Sequence, residues 1–126
     1  MVVDDDVLIL MHACEILEDA GFRFYEAANG DDAAKLLEQH AESIVLLFSD
    51  VEMPGTLDGF GLARHVAERW PHIEIVIASG RMTPNPGDMP NKASFITKPF
   101  DHDLVINHLQ QKLPEGKKPE PLKTAV

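Results

Sequence analysis

The sequence predicts an α/β fold, a doubly wound sheet of five parallel strands, and three observations carry that reading. Short apolar runs recur at residues 2–3, 22–27, 44–48, 73–78 and 94–97, with helically spaced apolar residues between most of them. The run Ile44-Val45-Leu46-Leu47-Phe48 is apolar without interruption, as a strand covered on both faces must be. Four of the five runs end in residues able to do chemistry: Asp4 and Asp5, Asp50, Ser79 and Lys98. In open α/β sheets, sites form at those carboxyl ends.

Each element has its own justification. Val2-Val3 ends at Asp4, and Asp6 is suited to cap the helix that follows. That helix carries Leu10, Ala13, Cys14, Leu17 and Ala20 along one face and stops at Gly21. Residues 22–27 alternate as a second strand, and Asn29-Gly30-Asp31 turns the chain into a helix over 32–40. The third strand closes on Ser49-Asp50. Asp58-Gly59 then opens a helix carrying Phe60, Ala63, Val66, Ala67 and Trp70, which Pro71 ends. The fourth strand closes on Ser79-Gly80. Pro84, Pro86, Gly87 and Pro90 leave the following helix short or absent. The fifth strand closes on Lys98-Pro99, and a last helix over 101–113 turns Leu104, Val105, Leu109 and Leu113 inward. Residues 1–113 read as one domain, and 114–126, with three prolines and three lysines, as a disordered tail or the start of a linker.

Composition excludes several classes of function. Eleven Lys and Arg against 21 Asp and Glu give a net charge of −10, which opposes direct nucleic-acid binding. No apolar stretch approaches the ~18–20 residues needed to cross a bilayer, so membrane insertion is not expected. Cys14 is the one cysteine, so no internal disulfide forms and a reducing cytoplasm is the expected setting. It sits on the inward stripe of its helix, as a small core residue. The six histidines show no paired zinc spacing.

The strand ends suggest a reaction. Three carboxylates gathered together repel one another unless something neutralises them, and an all-oxygen set suits a hard cation such as Mg²⁺ (or Mn²⁺). An ionised aspartate can attack phosphorus to form an aspartyl phosphate. Such a transfer needs positioning and neutralisation of the phosphoryl oxygens, which a cation and the Lys98 ammonium supply, with the Ser79 hydroxyl on a third oxygen.

These residues resemble the receiver domain of response regulators in two-component phosphorelays, a flavodoxin-like fold with strand order 2-1-3-4-5. The resemblance rests on Val2-Val3-Asp4-Asp5 before a helix, on Asp50-Val51-Glu52-Met53-Pro54-Gly55 followed by Asp58-Gly59, on Ala78-Ser79-Gly80, and on Phe95-Ile96-Thr97-Lys98-Pro99-Phe100. It implies that Asp50 is the phosphoacceptor and Asp5 the direct Mg²⁺ ligand. Asp4 then holds the metal through water, and the backbone carbonyl of Glu52 completes the protein ligands. Ser79 matches the switch hydroxyl, Lys98 the phosphate-binding lysine and Phe95 the switch aromatic. Glu52 and Arg81, each two residues beyond a site residue, fall where the family tunes phosphate lifetime. Three features depart from the family: one extra residue between Met53 and Gly59, a first strand that begins almost at Met1, and the interrupted segment after Ser79.

The expected function is a phosphorylation-dependent switch, charged by a histidine kinase or histidine phosphotransfer protein and read by an unknown downstream protein. It is not an enzyme beyond its own phosphorylation and slow dephosphorylation. Val7-Leu8-Ile9-Leu10-Met11 is more apolar than one buried face needs, which marks an exposed patch for the donor's helices. Three alternatives stay open: a receiver excised from a longer regulator or hybrid histidine kinase, an aspartate-nucleophile phosphatase, and an interaction module independent of phosphorylation.

Overall fold

The computed structural model describes residues 1–80, 84, 85 and 87–124. One parallel sheet runs in the order β2-β1-β3-β4-β5, as expected, from strands β1 (Val2–Val3), β2 (Glu26–Ala27), β3 (Leu46–Asp50), β4 (Glu74–Ser79) and β5 (Ser94–Thr97). Helices α1 (Val7–Asp19), α2 (Gly30–His40), α3 (Gly59–Arg69) and α4 (His102–Lys112) cover both faces, and a short α5 (Glu120–Thr124) follows.

The period of two along a strand divides the core. Leu46 and Phe48 of β3, with Val76 and Ala78 of β4, meet the buried residues of α1 and α4. Leu47 of β3, with Ile75 and Ile77 of β4, meets those of α2 and α3. Each of the four main helices starts with a side chain that takes up orphan amides. Asp6 accepts from the N–H groups of Leu8 and Ile9, Asn29 from Asp32, Asp58 from Gly61 and Asp101 from Leu104. A cap of this kind stabilises a helix by about 1 kcal/mol.

Four expectations are corrected. The second strand pairs only at Glu26 and Ala27, because its neighbour β1 presents just Val2 and Val3. Helix α2 begins at Gly30, two residues early, because Asn29 caps it. In α4 the buried stripe is Val105, Ile106 and Leu109, while Leu104 is exposed. Position 104 lies too far around a 3.6-residue turn to share the face of 106 and 109.

The segment after Leu113 is folded through residue 124 rather than disordered. A turn of 3₁₀ helix at Glu115–Lys117 leads into α5, and Leu122 is fully buried in the core beneath α1 and α4. Gln110 donates from Nε2 to the Leu122 carbonyl at 3.0 Å, and Lys117 Nζ pairs with Glu74 Oε2 at 2.7 Å. An apolar leucine within reach of an open core edge wins over the prolines around it.

Between β4 and β5 the described residues form no helix. Asn85 and Asp88 close a turn, with the Asp88 N–H donating to the Asn85 carbonyl at 3.0 Å, and Arg64 of α3 donates to the Asp88 carbonyl at 2.6 Å. Met89 and Ala93 pack against the α2–α3 side of the core. Among the described residues, no helix is long and apolar enough to cross a membrane.

Candidate functional site

The carboxyl ends of β1, β3, β4 and β5 converge on one open crevice of about 680 Å³, lined by Asp4, Asp5, Asp50, Glu52, Ser79 and Lys98 among others. Parallel pairing brings them together. Asp50 lies opposite Ala78, Ser79 lies opposite Thr97, and the Lys98 amide donates to the Ser79 carbonyl at 3.0 Å.

Asp4 is buried, and both its oxygens are engaged. Oδ1 accepts the Asp6 N–H at 2.9 Å, and Oδ2 accepts from Lys98 Nζ at 2.8 Å. Asp50, also buried, receives the Val51 N–H at 2.8 Å and pairs with Lys98 Nζ at 2.9 Å, both at Oδ1. The lysine therefore bridges the two aspartates. Asp5 is exposed at the mouth, and single oxygens of Asp4, Asp5 and Asp50 lie within 4.8 Å of one another.

Burial pushes the Asp50 carboxyl above its ordinary range, and the nearby Asp4 charge adds to the rise, although the Lys98 hydrogen bond opposes both. Burial opposes the charge on Lys98. Its hydrogen bonds to Asp4 and Asp50 outweigh that, so its value is raised and the ammonium form is held. Three carboxylates against one ammonium leave an excess of two negative charges. A divalent cation matches that excess, and hard carboxylate oxygens suit Mg²⁺ or Mn²⁺.

The backbone around Asp50 is fixed by α3. Gly59 opens that helix so close to the Asp50 carbonyl that a Cβ there would overlap it, and the Gly59 N–H donates to the Val51 carbonyl at 2.7 Å.

Of the residues singled out from sequence, Asp4, Asp5, Asp50, Glu52, Ser79 and Lys98 share the crevice, with the Glu52 side chain exposed on its rim. Phe95 does not line it. That ring is half-buried and packs against the α2–α3 core. Arg81 lies outside the described residues. Sequence reasoning missed Asp31 and Thr56, which meet across 25 residues beside the site, with Asp31 Oδ1 accepting from the Thr56 hydroxyl at 2.5 Å. No local signal joins two polar residues so far apart.

Beside the crevice, α1 exposes Val7 (63%), Leu8 (78%) and Met11 (54%). The patch adjoins an apolar groove of about 250 Å³ lined by Ile9, His12, Lys98, Pro99 and Phe100, in which the His12 ring stacks on Phe100 at 5.5 Å.

Residues 1–110 match the family model described as response regulator receiver domain. The chain belongs to that family. It is a receiver domain of two-component signalling, a class of signalling switches that are generally not enzymes and for which magnesium and phosphorylation are typical. The receiver is 30% identical over 116 residues to the response regulator receiver protein CpdR of Brucella abortus, covering 90% of this chain and 94% of that one. It is 32% identical over 110 residues to a putative response regulator NtrX-like protein of Rickettsia bellii, covering 84% of this chain and 23% of the relative, so it spans about a quarter of that longer protein. Among solved structures, the receiver domain of the hybrid histidine kinase CckA superposes with a TM-score of 0.76 at 28% identity, over 90% of this chain and 96% of that one.

Proposed function

We propose that this receiver is a phosphorylation-dependent switch in which Asp50 accepts a phosphoryl group from a histidine kinase or histidine phosphotransfer protein. The observation that carries the proposal is the Lys98 bridge inside an acidic crevice, with its ammonium 2.9 Å from Asp50 and 2.8 Å from Asp4. Asp50 attacks phosphorus with a carboxylate oxygen, and the bond to the donor imidazole breaks with its electron pair returning to the ring. Both hydrogen bonds from Val51 and Lys98 fall on Oδ1, so Oδ2 is the attacking oxygen. Lys98 follows the phosphoryl group and neutralises one of its oxygens, while the Ser79 hydroxyl takes another. Asp5, Asp50 and the Glu52 carbonyl would hold a Mg²⁺ or Mn²⁺ ion, with Asp4 acting through water, and that ion supplies the remaining charge neutralisation.

The added charge favours a second arrangement of Ser79 and Phe95, which biases the binding of a downstream protein. Glu52, on the exposed rim, and Arg81 set how fast water removes the phosphoryl group. A regulator that stands alone, as the match to CpdR over nearly its whole length supports, and one module of a longer regulator, as the NtrX-like match supports, use the same site.

Intact mass after incubation with acetyl phosphate and Mg²⁺ tests the chemistry. The native chain gains about 80 Da, one phosphoryl group, and Asp50→Ala gains nothing. Absence of a gain from every phosphodonor overturns the proposal.

A further inference from the structure

The segment between β3 and α3 carries Glu52, whose backbone carbonyl is the group proposed above to complete the cation's protein ligands. Glu52, Met53 and Pro54 line the crevice directly. A backbone ligand is only as well placed as the loop that carries it. This loop is pinned from outside the site. Asp31, in the first turn of α2, accepts the Thr56 N–H on Oδ2 at 3.0 Å and the Thr56 hydroxyl on Oδ1 at 2.5 Å. Gly55, just before Thr56, has φ +105°, and a Cβ there would overlap Asp31 Oδ2. A Cβ on Gly30 would likewise overlap the Leu57 carbonyl. Loop residues 55–57 therefore lie against the first two residues of α2. At its far end the loop is tied by the Gly59 N–H to the Val51 carbonyl at 2.7 Å. Only residues 52–54 are left to stand over the crevice.

We infer that Asp31 and Thr56 are positioning residues that clasp the β3–α3 loop, and with it the Glu52 carbonyl, in the geometry that binds the divalent cation. The inference rests on the proposed reading of the crevice. Asp31 touches neither cation nor phosphoryl group, and it acts through Thr56. Hydrogen bonds to an ionised acceptor belong to the stronger class. The two that Thr56 donates hold the Asp31 carboxyl below its ordinary range, so the clasp stays charged throughout the neutral range.

Mn²⁺ is the probe, its binding to the full chain followed by electron paramagnetic resonance, with acetyl phosphate labelling measured in parallel. Asp31→Ala, which loses both hydrogen bonds, raises the Mn²⁺ dissociation constant by about ten-fold or more, and Thr56→Val, which loses the hydroxyl bond and keeps the N–H one, raises it by less. The double variant does no worse than Asp31→Ala, because that change alone already removes both bonds of the clasp. Thr56→Ser keeps both donors and restores native affinity. At saturating Mn²⁺ every variant labels at the native rate, since the loss is in cation affinity rather than in the reactivity of Asp50. Asp5→Ala serves as the control on the crevice itself. Native affinity in both Asp31→Ala and Thr56→Val, beside weakened binding in Asp5→Ala, overturns the clasp and leaves the site standing. Unchanged affinity in Asp5→Ala removes the site and the clasp together.

Discussion

At the scale of single residues, the site was legible wherever a reactive side chain ends a strand. Asp4, Asp50, Ser79 and Lys98 each follow an apolar run, and parallel pairing leaves their ends one place to go. The Asp31–Thr56 link was not legible, because it depends on where a loop falls against a helix start. Burial gives Asp50 a measurable signature. At low pH it is protonated in folded and unfolded chains alike and contributes nothing to the difference between them. As pH rises past the ordinary carboxylate range, the unfolded chain ionises first, so stability falls until the raised value of the folded state is passed. Asp50→Asn removes this cost. In metal-free buffer at pH 7 the variant gains about 1 kcal/mol, the ordinary size of relief at a site built for function. That gain shrinks towards zero as the pH is lowered to about 4, near the unfolded carboxyl. Thermal unfolding across the pH range checks it. A gain that persists undiminished at low pH assigns the effect to packing rather than charge.

At the scale of elements, the strands at 2–3 and 94–97 and the stripes of α1 and α3 were read correctly, while the inward face of α4 and the tail were not. The stripes of α1 and α3 are dictated by 3.6-residue spacing, and Ala13, Cys14, Leu17, Phe60, Ala63 and Val66 are all buried as it requires. The tail failed because prolines and lysines advertise solvent, while the deciding contact is one leucine far along the chain from its partners. Gly21 leaves room for that contact. It has φ +95°, and a Cβ on it would lie 2.8 Å from Cβ of Pro119 and from Cδ of Pro121. Leu122 fills the space below. Leu122→Ala is expected to lower stability by about 2–4 kcal/mol, the range for truncating a fully buried leucine. Lys117→Ala costs at most about 1 kcal/mol, because its pair with Glu74 is partly exposed. Urea denaturation separates the two. Equal, small effects would show that the tail adds nothing to the core.

At the scale of the whole molecule, charge and apolar surface are unevenly spread, and the arrangement bears on how a phosphodonor approaches. The chain carries a net charge of −10, yet beside the acidic crevice α1 presents Val7, Leu8 and Met11 to solvent, next to the groove formed by Ile9, His12, Pro99 and Phe100. Exposed leucine and methionine in one patch mark a surface that is covered part of the time. Under the proposed function, a patch at the rim of the crevice is placed to be covered while a donor histidine is held over Asp50. A small phosphodonor needs no such surface, and that difference isolates the docking step from the chemistry. Leu8→Glu and Met11→Glu sit at exposed positions, so the fold and labelling by acetyl phosphate stay native. Transfer from a phosphorylated histidine kinase or phosphotransfer protein falls by at least about ten-fold, since each change places an unpaired charge in a desolvated contact worth about 1–2 kcal/mol or more. The loss appears as weaker donor binding, with the rate recovering at high donor concentration. Native transfer from the protein donor in both variants would mean that donors reach Asp50 without touching α1.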